Sequence, residues 1–383
     1  MIKEFLCPTS GKYTFILNFT TMRGRKMLYW GIVLLVLIII IKIFSADAGR
    51  VEFWYSARFF PWITGILRNT FGSFPFSLGD LLYAAAAGWI LYKLYRLILF
   101  VIKTKQKPQL LIKVKKNVLT LLVAAAVVYI VFNLFWGINY NRKGIAWQLR
   151  LSEMKYTTSE LKDLNCMLIN KINMSKSALL KNKTPYYSKR ELFGAVSRTY
   201  QQLGKQYPYL KYEVPSIKSS MWGWFGNYAG FSGYYNPFSG EAQVNTTVPK
   251  FLHPYISCHE VAHQLGYAKE MEANFVGYLA ATASADTLFH YSVYLDLFVY
   301  ANRNLFMVDS AAARLYTKEL IVPVQNDLKE WFLFSKKHQS ILGPVVRWGY
   351  GIFLRNNEQP QGMLSYDEVT GFLIAYHKKF GKI

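Results

Sequence analysis

The stretch His259-Glu260-Val261-Ala262-His263 places two imidazoles four residues apart, with a carboxylate directly after the first. On an α-helix, residues four apart lie on one face, so both imidazoles can reach the same metal ion. Glu260 lies one helical step beyond His259, where it can act as the general base that takes a proton from water. The spacing predicts a zinc site on a helix, with His259 and His263 as ligands and Glu260 as a catalytic residue.

A third ligand is expected in the segment that follows, because a zinc ion in an open site takes three protein ligands and keeps a fourth position for water. The segment "GYAKEMEAN" offers two carboxylates, Glu270 and Glu272. Gly266 can end the first helix in a left-handed conformation, and a second helix can begin near Lys269. Two positions along a helix point about 200° apart, so only one of the carboxylates can face the ion. We expect Glu270 to be the ligand, with Glu272 as the alternative.

Further polar side chains could support this site. Asn274 is four residues after Glu270 and can hydrogen-bond a ligating histidine. Tyr234, Tyr235 and His290 are candidates to stabilise the oxyanion of a transition state. The two tyrosines belong to "GFSGYYNPFSGEAQVN", whose glycines and turn residues predict short strands and loops before the motif helix. We expect either an edge strand that pairs with a peptide substrate or an ordinary hairpin.

The pairing of "HEVAH" with "EMEAN" resembles the gluzincin metallopeptidases, whose second helix carries Glu-x-x-x-Asp or Asn. That resemblance implies His259, His263 and Glu270 as zinc ligands, with Glu260 as the catalytic base. The gap between His263 and Glu270 is much shorter than in most gluzincins. The stretch is also similar to the metzincin pattern H-E-x-x-H-x-x-G-x-x-H, but Lys269 stands where the third histidine belongs, and a lysine cation cannot bind the metal.

The chain after residue 27 resembles an uncharacterised family of bacterial membrane proteins, the domain of unknown function DUF3810. The resemblance rests on the N-terminal apolar runs, the "GFSGYYNPFSGEAQVN" stretch and an HExxH that is followed by "EANF". It covers most of the chain and implies an architecture but no substrate. We expect an α+β fold in which three N-terminal transmembrane helices precede a mostly helical, zincin-like extracytoplasmic domain with a small β-sheet.

The composition agrees with a membrane protein, because 52% of the 383 residues are hydrophobic. Three apolar runs, at 27–45, 78–102 and 118–140, each have about the 20 residues that are needed to cross a bilayer. The net charge of +23 could by itself indicate a nucleic-acid partner. The early basic clusters lie beside the apolar runs, however, where Lys and Arg set membrane topology. We therefore expect the lipid bilayer as a partner and no nucleic acid.

The positions of the basic residues predict which side of the membrane each segment occupies. "RGRK" precedes the first run, and the loop "KTKQKPQLLIKVKK" between the second and third runs is strongly basic, so both should be cytoplasmic. The first run is too long for a signal peptide and should anchor the chain. We predict a cytoplasmic segment at 1–26, a membrane region at 27–140 and an extracytoplasmic domain at 141–383. The sequence leaves open whether translation starts at Met1 or Met22.

The function that follows is that of a zinc metallopeptidase anchored in the cytoplasmic membrane, which hydrolyses a peptide or protein substrate outside it. Two alternatives remain open: a non-catalytic envelope scaffold with a structural or vestigial metal site, and a metallohydrolase with a non-peptide substrate. Cys7 should be cytoplasmic. Cys166 and Cys258 should share the outer compartment, where a disulfide can form, but we expect two isolated thiols to stay free. The oligomeric state is left open.

Overall fold

A computed structural model describes residues 22–103, 107–151, 154–360, 362 and 368–383. These residues are mostly helical and include one small sheet of three strands, which confirms the α+β class. Most of the predicted cytoplasmic segment at 1–26, including Cys7, lies outside the described residues. Cys166 and Cys258 are both free thiols, as expected.

The N-terminal part of the chain forms the elements that can enter a membrane. They are α1 (Met22–Ser45), α2 (Ala48–Arg50), a π-helical stretch (Val51–Phe59), α3 (Phe60–Phe71), α4 (Leu78–Lys103) and α5 (Lys107–Phe135). Helix α4 and the Asn117–Phe135 part of α5 are each long and apolar enough to cross a membrane. Tyr29–Ser45 and Ala48–Phe71 meet at 92° and would together make a third span, either broken or re-entrant. The described residues therefore include two helices that are long and apolar enough to cross a membrane, or three spans if the bent pair is one of them.

Hydropathy predicted that the third apolar run is helical as far as Tyr140, but the helix ends earlier. Helix α5 ends at Phe135, and Gly137–Asn141 form a 3-10 turn. The break occurs at Trp136, whose φ of −157° is not helical. The rings of Trp136 and Tyr140 are buried against the rest of the protein. Hydropathy cannot separate a side chain that faces lipid from one that is buried in protein, and the predicted span was therefore too long.

The rest of the chain forms a helical domain around one large apolar core. Its helices are α6 (Gly144–Gln148), α7 (Thr158–Lys181), α8 (Lys189–Gln206), α9 (Gly223–Ala229), α10 (His253–Gln264), α11 (Glu270–Ala283), α12 (Thr287–Val308), α13 (Ser310–Glu319), α14 (Val322–Lys337), α15 (Leu342–Asn356) and α16 (Val369–Phe380). Helix α12 packs along α7, and α10 packs against both α11 and α12. A second, smaller core joins residues of α1 and α5 to Ala268, directly after α10. The membrane helices are thus packed onto the domain near the HExxH motif.

The sheet lies beside α10 and fixes that helix in place. Its strands are β1 (Ile217–Ser219), β2 (Gly233–Asn236) and β3 (Glu241–Val244), in the order β1-β3-β2. Strand β1 runs parallel to β3 and β2 runs antiparallel to it, so β1 and β2 are the two edge strands of the sheet. Gln264 at the end of α10 donates to the carbonyl oxygens of Ser216 at 2.9 Å and Gly240 at 2.6 Å. The Tyr212 hydroxyl donates to the Gln264 side-chain oxygen at 2.6 Å, so every polar atom of this buried amide is used.

The start of α4 is tied to the same sheet. The Glu241 carboxylate accepts from the backbone N–H of Leu78 at 3.2 Å and of Gly79 at 2.7 Å. A carboxylate at a helix N-terminus satisfies free N–H groups and interacts favourably with the helix dipole. Asp80 in turn accepts from the Met221 N–H at 2.7 Å. The position of this membrane helix is therefore set by the domain that carries the motif.

A buried ion pair makes a second connection between the membrane region and the motif. Two guanidinium nitrogens of Arg142 donate to the Glu52 carboxylate, at 2.7 and 3.0 Å, and the two side chains are only 4% and 8% exposed. Arg142 also donates to the carbonyl oxygen of Gly266 at 3.2 Å, in the turn after α10. The π-helical stretch, the segment after α5 and the end of the motif helix therefore meet at one guanidinium group.

Replacing Glu52 by Ala should lower the free energy of unfolding by about 3–5 kcal/mol, because it leaves the Arg142 cation buried without its partner. Thermal unfolding of the purified protein in detergent measures the effect as a lower midpoint. Glu213→Ala is the matched control, since Glu213 pairs with Lys211 at 2.6 Å but both side chains are about two-thirds exposed, at 67% and 64%. That change should leave the midpoint almost unmoved. Equal shifts in the two variants would contradict the importance of the buried pair.

Candidate metal centre

Helix α10 carries the HExxH motif and ends in the turn that the sequence predicted. Pro254 occupies its first turn, where the missing N–H costs nothing. Gly266 has a φ of +87°, and a Cβ there would lie 2.9 Å from the Phe60 ring, so both conformation and space require glycine. The chain then reverses, and α11 begins at Glu270 after an extended Lys269. The short connection brings the start of α11 back against the motif.

The two motif histidines converge on one carboxylate. Their ring centroids are 4.6 Å apart. The Nε2 atoms of His259 and His263 each lie 3.4 Å from the same oxygen, Oε2 of Glu270. Ligand atoms of His259, Glu260 and His263 also lie within 4.8 Å of one another, so the cluster could hold a metal ion. The geometry thus gathers two imidazoles and two carboxylates around one point.

The two carboxylates occupy different sides of this point. Glu270 lies between the imidazoles, whereas Glu260 lies against the edge strand β2. A Cβ at Gly233 of that strand would be 2.3 Å from Oε1 of Glu260, so the Glu260 side chain fits only beside a glycine. This arrangement favours Glu270 over Glu260 as the third ligand and leaves Glu260 beside strand β2. The ligand role of Glu270 stays a prediction.

Glu272, the alternative ligand, faces away from the histidines. Its side chain is buried beside the segment that follows α5, and a Cβ at Gly144 would lie 1.7 Å from its Oε1. Gly144 has a φ of +77°, which also favours glycine. Burial raises the pKa of Glu272 above its ordinary value, although the nearby Lys269 and Arg142 cations and a hydrogen bond from the Ile145 backbone favour its charged form. The structure therefore gives Glu272 a place in packing the membrane-side segment against α11.

Hydrogen bonds from neighbouring residues fix the orientation of the two imidazole rings. Nδ1 of His263 lies 2.8 Å from the carbonyl oxygen of Tyr267, which directs Nε2 toward Glu270. Burial lowers the pKa of His259, and a hydrogen bond with the Asn274 side chain works against that effect. The Tyr255 hydroxyl donates to the Asn274 carbonyl oxygen at 3.0 Å and so helps to fix this residue. Asn274 therefore lies next to a candidate ligand, and its supporting role stays a prediction.

The unpaired oxygens of the cluster fit a bound cation. Oε2 of Glu260 is buried and has no hydrogen-bond donor among the described residues, and the buried Oε2 of Glu270 has only the two imidazole nitrogens beside it, at 3.4 Å. A buried carboxylate oxygen without a donor is costly, and a metal ion would satisfy it. Two imidazole nitrogens and one carboxylate oxygen are also a donor set that zinc takes in open sites. The residues present therefore fit a zinc ion.

The charges of the cluster depend on whether a cation is bound. Without one, burial lowers the pKa of His263, but the Glu270 carboxylate outweighs this and raises it to about 9. Burial would raise the pKa of Glu270, but the two histidines hold it below its usual range. Burial, together with Glu270, raises the pKa of Glu260 to about 8. The metal-free cluster is thus a buried ion pair of His263 and Glu270, and metal binding must release the proton from His263.

The cluster opens into a cavity of about 1110 Å³. Side chains from the membrane helices form one wall: Tyr83, Ala84, Ala87, Phe132 and Trp136. The Trp136 ring packs edge-on against His263 with centroids 6.0 Å apart. On another side, the Tyr350 hydroxyl of α15 donates to Oε1 of Glu270 at 2.5 Å. A site of this size at the wall of two membrane helices has room for more than a water molecule.

Of the three candidates for oxyanion stabilisation, two lie at the cavity and one does not. Tyr234 and Tyr235 both line the cavity. The Tyr234 hydroxyl donates to Asp80 and shares a 2.9 Å hydrogen bond with Ser220, while the Tyr235 hydroxyl is buried without a partner among the described residues. His290 is not brought to the site: its Nε2 lies 2.7 Å from the carbonyl oxygen of Ser284, and it is absent from the described cavity lining. The first turn of α12 holds it there.

Several residues of the site had no signal in the sequence. Tyr350, Arg303 and Arg347 line the cavity but are distant from the motif in the chain. Gln359 accepts from the Glu270 N–H at 3.0 Å and so caps the start of α11 from 89 residues away. No local spacing relates these side chains to HExxH. Only the packing of α12 against α10 and of α15 against α9 brings them to it.

A family model described as "Protein of unknown function (DUF3810)" matches residues 55–374. The match runs from the π-helical stretch into α16, and it includes α4, α5 and the metal cluster. No curated protein and no solved structure matches the chain.

Proposed function

Because the chain belongs to the DUF3810 family, whose function is unknown, we propose from its own site that it is a membrane-anchored zinc metallopeptidase. The proposal rests on one observation above all. The Nε2 atoms of His259 and His263 lie 3.4 Å from a single Glu270 oxygen, with Glu260 beside them at the wall of an open cavity. Three ligands on one side and open space on the other are typical of a catalytic metal site rather than a closed structural one.

Zinc bound by these side chains would supply a Lewis acid that polarises the substrate carbonyl. Glu260 would take a proton from the attacking water and deliver it to the leaving amine. Tyr267 and Tyr350 hold His263 and Glu270 in place through the hydrogen bonds at 2.8 and 2.5 Å. The ring of Trp136 covers one face of the cluster and limits its exposure to water.

The edge strand β2 supports a peptide as the substrate. A peptide can add to an exposed sheet edge through main-chain hydrogen bonds. Strand β2 is one of the two edges of this sheet, and its Gly233 lies directly against the Glu260 carboxylate. A peptide that paired with β2 would therefore pass the proposed base. This contact is what favours peptide hydrolysis over the scaffold and over a non-peptide substrate.

The function is tested on the whole protein, purified in detergent without added metal. We expect zinc by elemental analysis, cleavage of a complex peptide mixture by mass spectrometry, loss of cleavage after chelation and recovery with zinc alone. Removal of the metal should also lower the thermal midpoint, because a bound ion stabilises the folded state. Protein that carries no metal and cleaves no peptide would instead support the scaffold with its His263–Glu270 ion pair.

We further propose that the domain lies outside the cytoplasmic membrane. The start of α4 and the end of α5 both lie at the domain, so the end of α4 at Lys103 and the basic first turns of α5 from Lys107, which the sequence predicted as a loop, are at the far end of this hairpin. Basic loops favour the cytoplasm, which leaves the domain on the opposite side. A reporter that is active only in the cytoplasm, fused after Ile383, should be silent, whereas a fusion within the basic loop should be active. A strong signal from the C-terminal fusion would overturn this orientation.

A further inference from the structure

We infer that the cavity takes its substrate from the bilayer, and that this substrate is a peptide with a covalently attached acyl chain and an acidic group. The acyl chain would lie along α4 near the end of α5, and the acidic group would lie at Arg303 and Arg347. This inference rests on the proposed peptidase and names the substrate class of the same site.

The first reason is the origin of the cavity wall. Tyr83, Ala84 and Ala87 lie on one face of α4, and Phe132 belongs to the last turn of α5. Both helices are long and apolar enough to cross the membrane. From Leu78 to Ala87 the helix rises about 14 Å, at 1.5 Å per residue. Counted from Leu78, the first residue of the candidate span, this is close to half of the roughly 30 Å hydrocarbon core, so the wall extends from the histidine–glutamate cluster toward the depth of the lipid chains.

The second reason is that this wall is open at the side. Helix α1 packs against α5, whereas the most apolar window of α4 has no buried residue among those described. Helix α4 is held instead at its first turn, through Glu241 and Asp80. The small side chains of Ala84 and Ala87 leave space beside it. Within a bilayer such a gap can be entered by an apolar chain but not by a hydrated peptide.

The third reason is the charge of the lining. Outside the cluster of His259, Glu260, His263 and Glu270, the only charged side chains among the described lining residues are Arg303 and Arg347. Almost all other lining residues are aromatic or small. Guanidinium groups bind carboxylates and phosphates in preference to neutral groups. An amphiphile with an acidic group would bind both the apolar lining and the two arginines. An uncharged polar peptide would bind neither.

The test uses the full chain with Glu260→Gln in lipid nanodiscs, so that binding is measured without cleavage. The probes are two fluorescent peptides of one acidic sequence, with and without an N-terminal dodecanoyl group, and empty nanodiscs give the background. We expect the acylated peptide to bind at least about 10-fold more tightly above background. In addition, replacing the acidic residues of the acylated peptide by amides, or making Arg347→Gln, should weaken its binding.

Two substitutions on α4 that each add a phenyl ring form a matched pair of variants. Ala84→Phe should remove the advantage of the acyl chain, because the new ring occupies its space. Ala85→Phe adds the same ring on the opposite face of α4, outside the described lining, and should keep the advantage. Both variants must show the thermal midpoint of the parent protein.

The outcomes separate this inference from the peptidase itself. If the unmodified chain cleaves both peptides equally well, and Ala84→Phe binds the acylated peptide like Ala85→Phe does, the inference is wrong and the peptidase stands. If the acylated peptide binds as expected but is never cleaved, the acyl site stands and the peptidase fails. Cleavage of phospholipid acyl esters instead of peptides would overturn the peptide part of both proposals.

Discussion

Glu270→Gln should lose most of its zinc, while Glu272→Gln should keep it. The two substitutions make the same chemical change on one helix, two residues apart. In the structure Glu270 lies 3.4 Å from both imidazole nitrogens, whereas Glu272 packs against Gly144. Loss of one of three protein ligands should weaken zinc affinity by more than the 10–100-fold that is typical when a residue behind a ligand is changed, so we expect roughly 100-fold or more.

The zinc affinities of the variants are compared by measuring the zinc content of each after dialysis against chelators of increasing strength. Asn274→Ala provides the intermediate reference, because Asn274 contacts a candidate ligand without reaching the ion. If Glu272→Gln loses zinc and Glu270→Gln retains it, the ligand is Glu272 and the orientation described for α11 is wrong in solution. Equal retention in both would remove the third ligand altogether and with it the likeness to gluzincins.

Glu260→Gln should keep its zinc and lose peptide hydrolysis by about 10²–10⁴-fold, the usual contribution of a general base. The amide has the shape of the carboxylate and fits beside Gly233, but it cannot accept a proton. Initial rates on a cleaved peptide and zinc content of the same preparation measure the two effects separately. The loss should appear in kcat, because the substrate can still bind.

Glu272→Gln is the control for this experiment, since it also neutralises a buried glutamate next to the motif but lies on the far side of α11. Its rate should stay close to that of the unmodified protein. If zinc and activity disappear together in Glu260→Gln, Glu260 holds the structure of the site, and its assignment as the base must be withdrawn.

Local spacing in the sequence was enough for the parts of the site that lie within about two helical turns. The interval of four residues placed His259 and His263 on one face, and Gly266 predicted the left-handed turn that the structure shows at φ +87°. Hydropathy likewise found the apolar helices α4 and α5. These features depend on the geometry of a single helix and its ends, which nearby residues decide.

Other properties of the site depend on contacts between residues that are distant in the chain. Periodicity showed that Glu270 and Glu272 point in different directions, but not which direction holds the histidines. The packing of α11 against α10, with Gly144 receiving Glu272, orients Glu270 toward them in the structure. His290 shows that residue type alone does not place a side chain in the site. An imidazole suits the chemistry, but the start of α12 holds His290 near Ser284.

The HExxH motif, the turn that follows it and a set of apolar helices could all be predicted from the sequence. That these features belong to one site follows from tertiary packing. Ala84 of α4, Trp136 directly after α5 and Tyr350 of α15 line a single cavity together with the motif. The physical reason is that helix formation follows from neighbours in the chain, whereas a cavity is the space left when helices from separate segments pack together. Its shape and charge are properties of that packing, which no local pattern records.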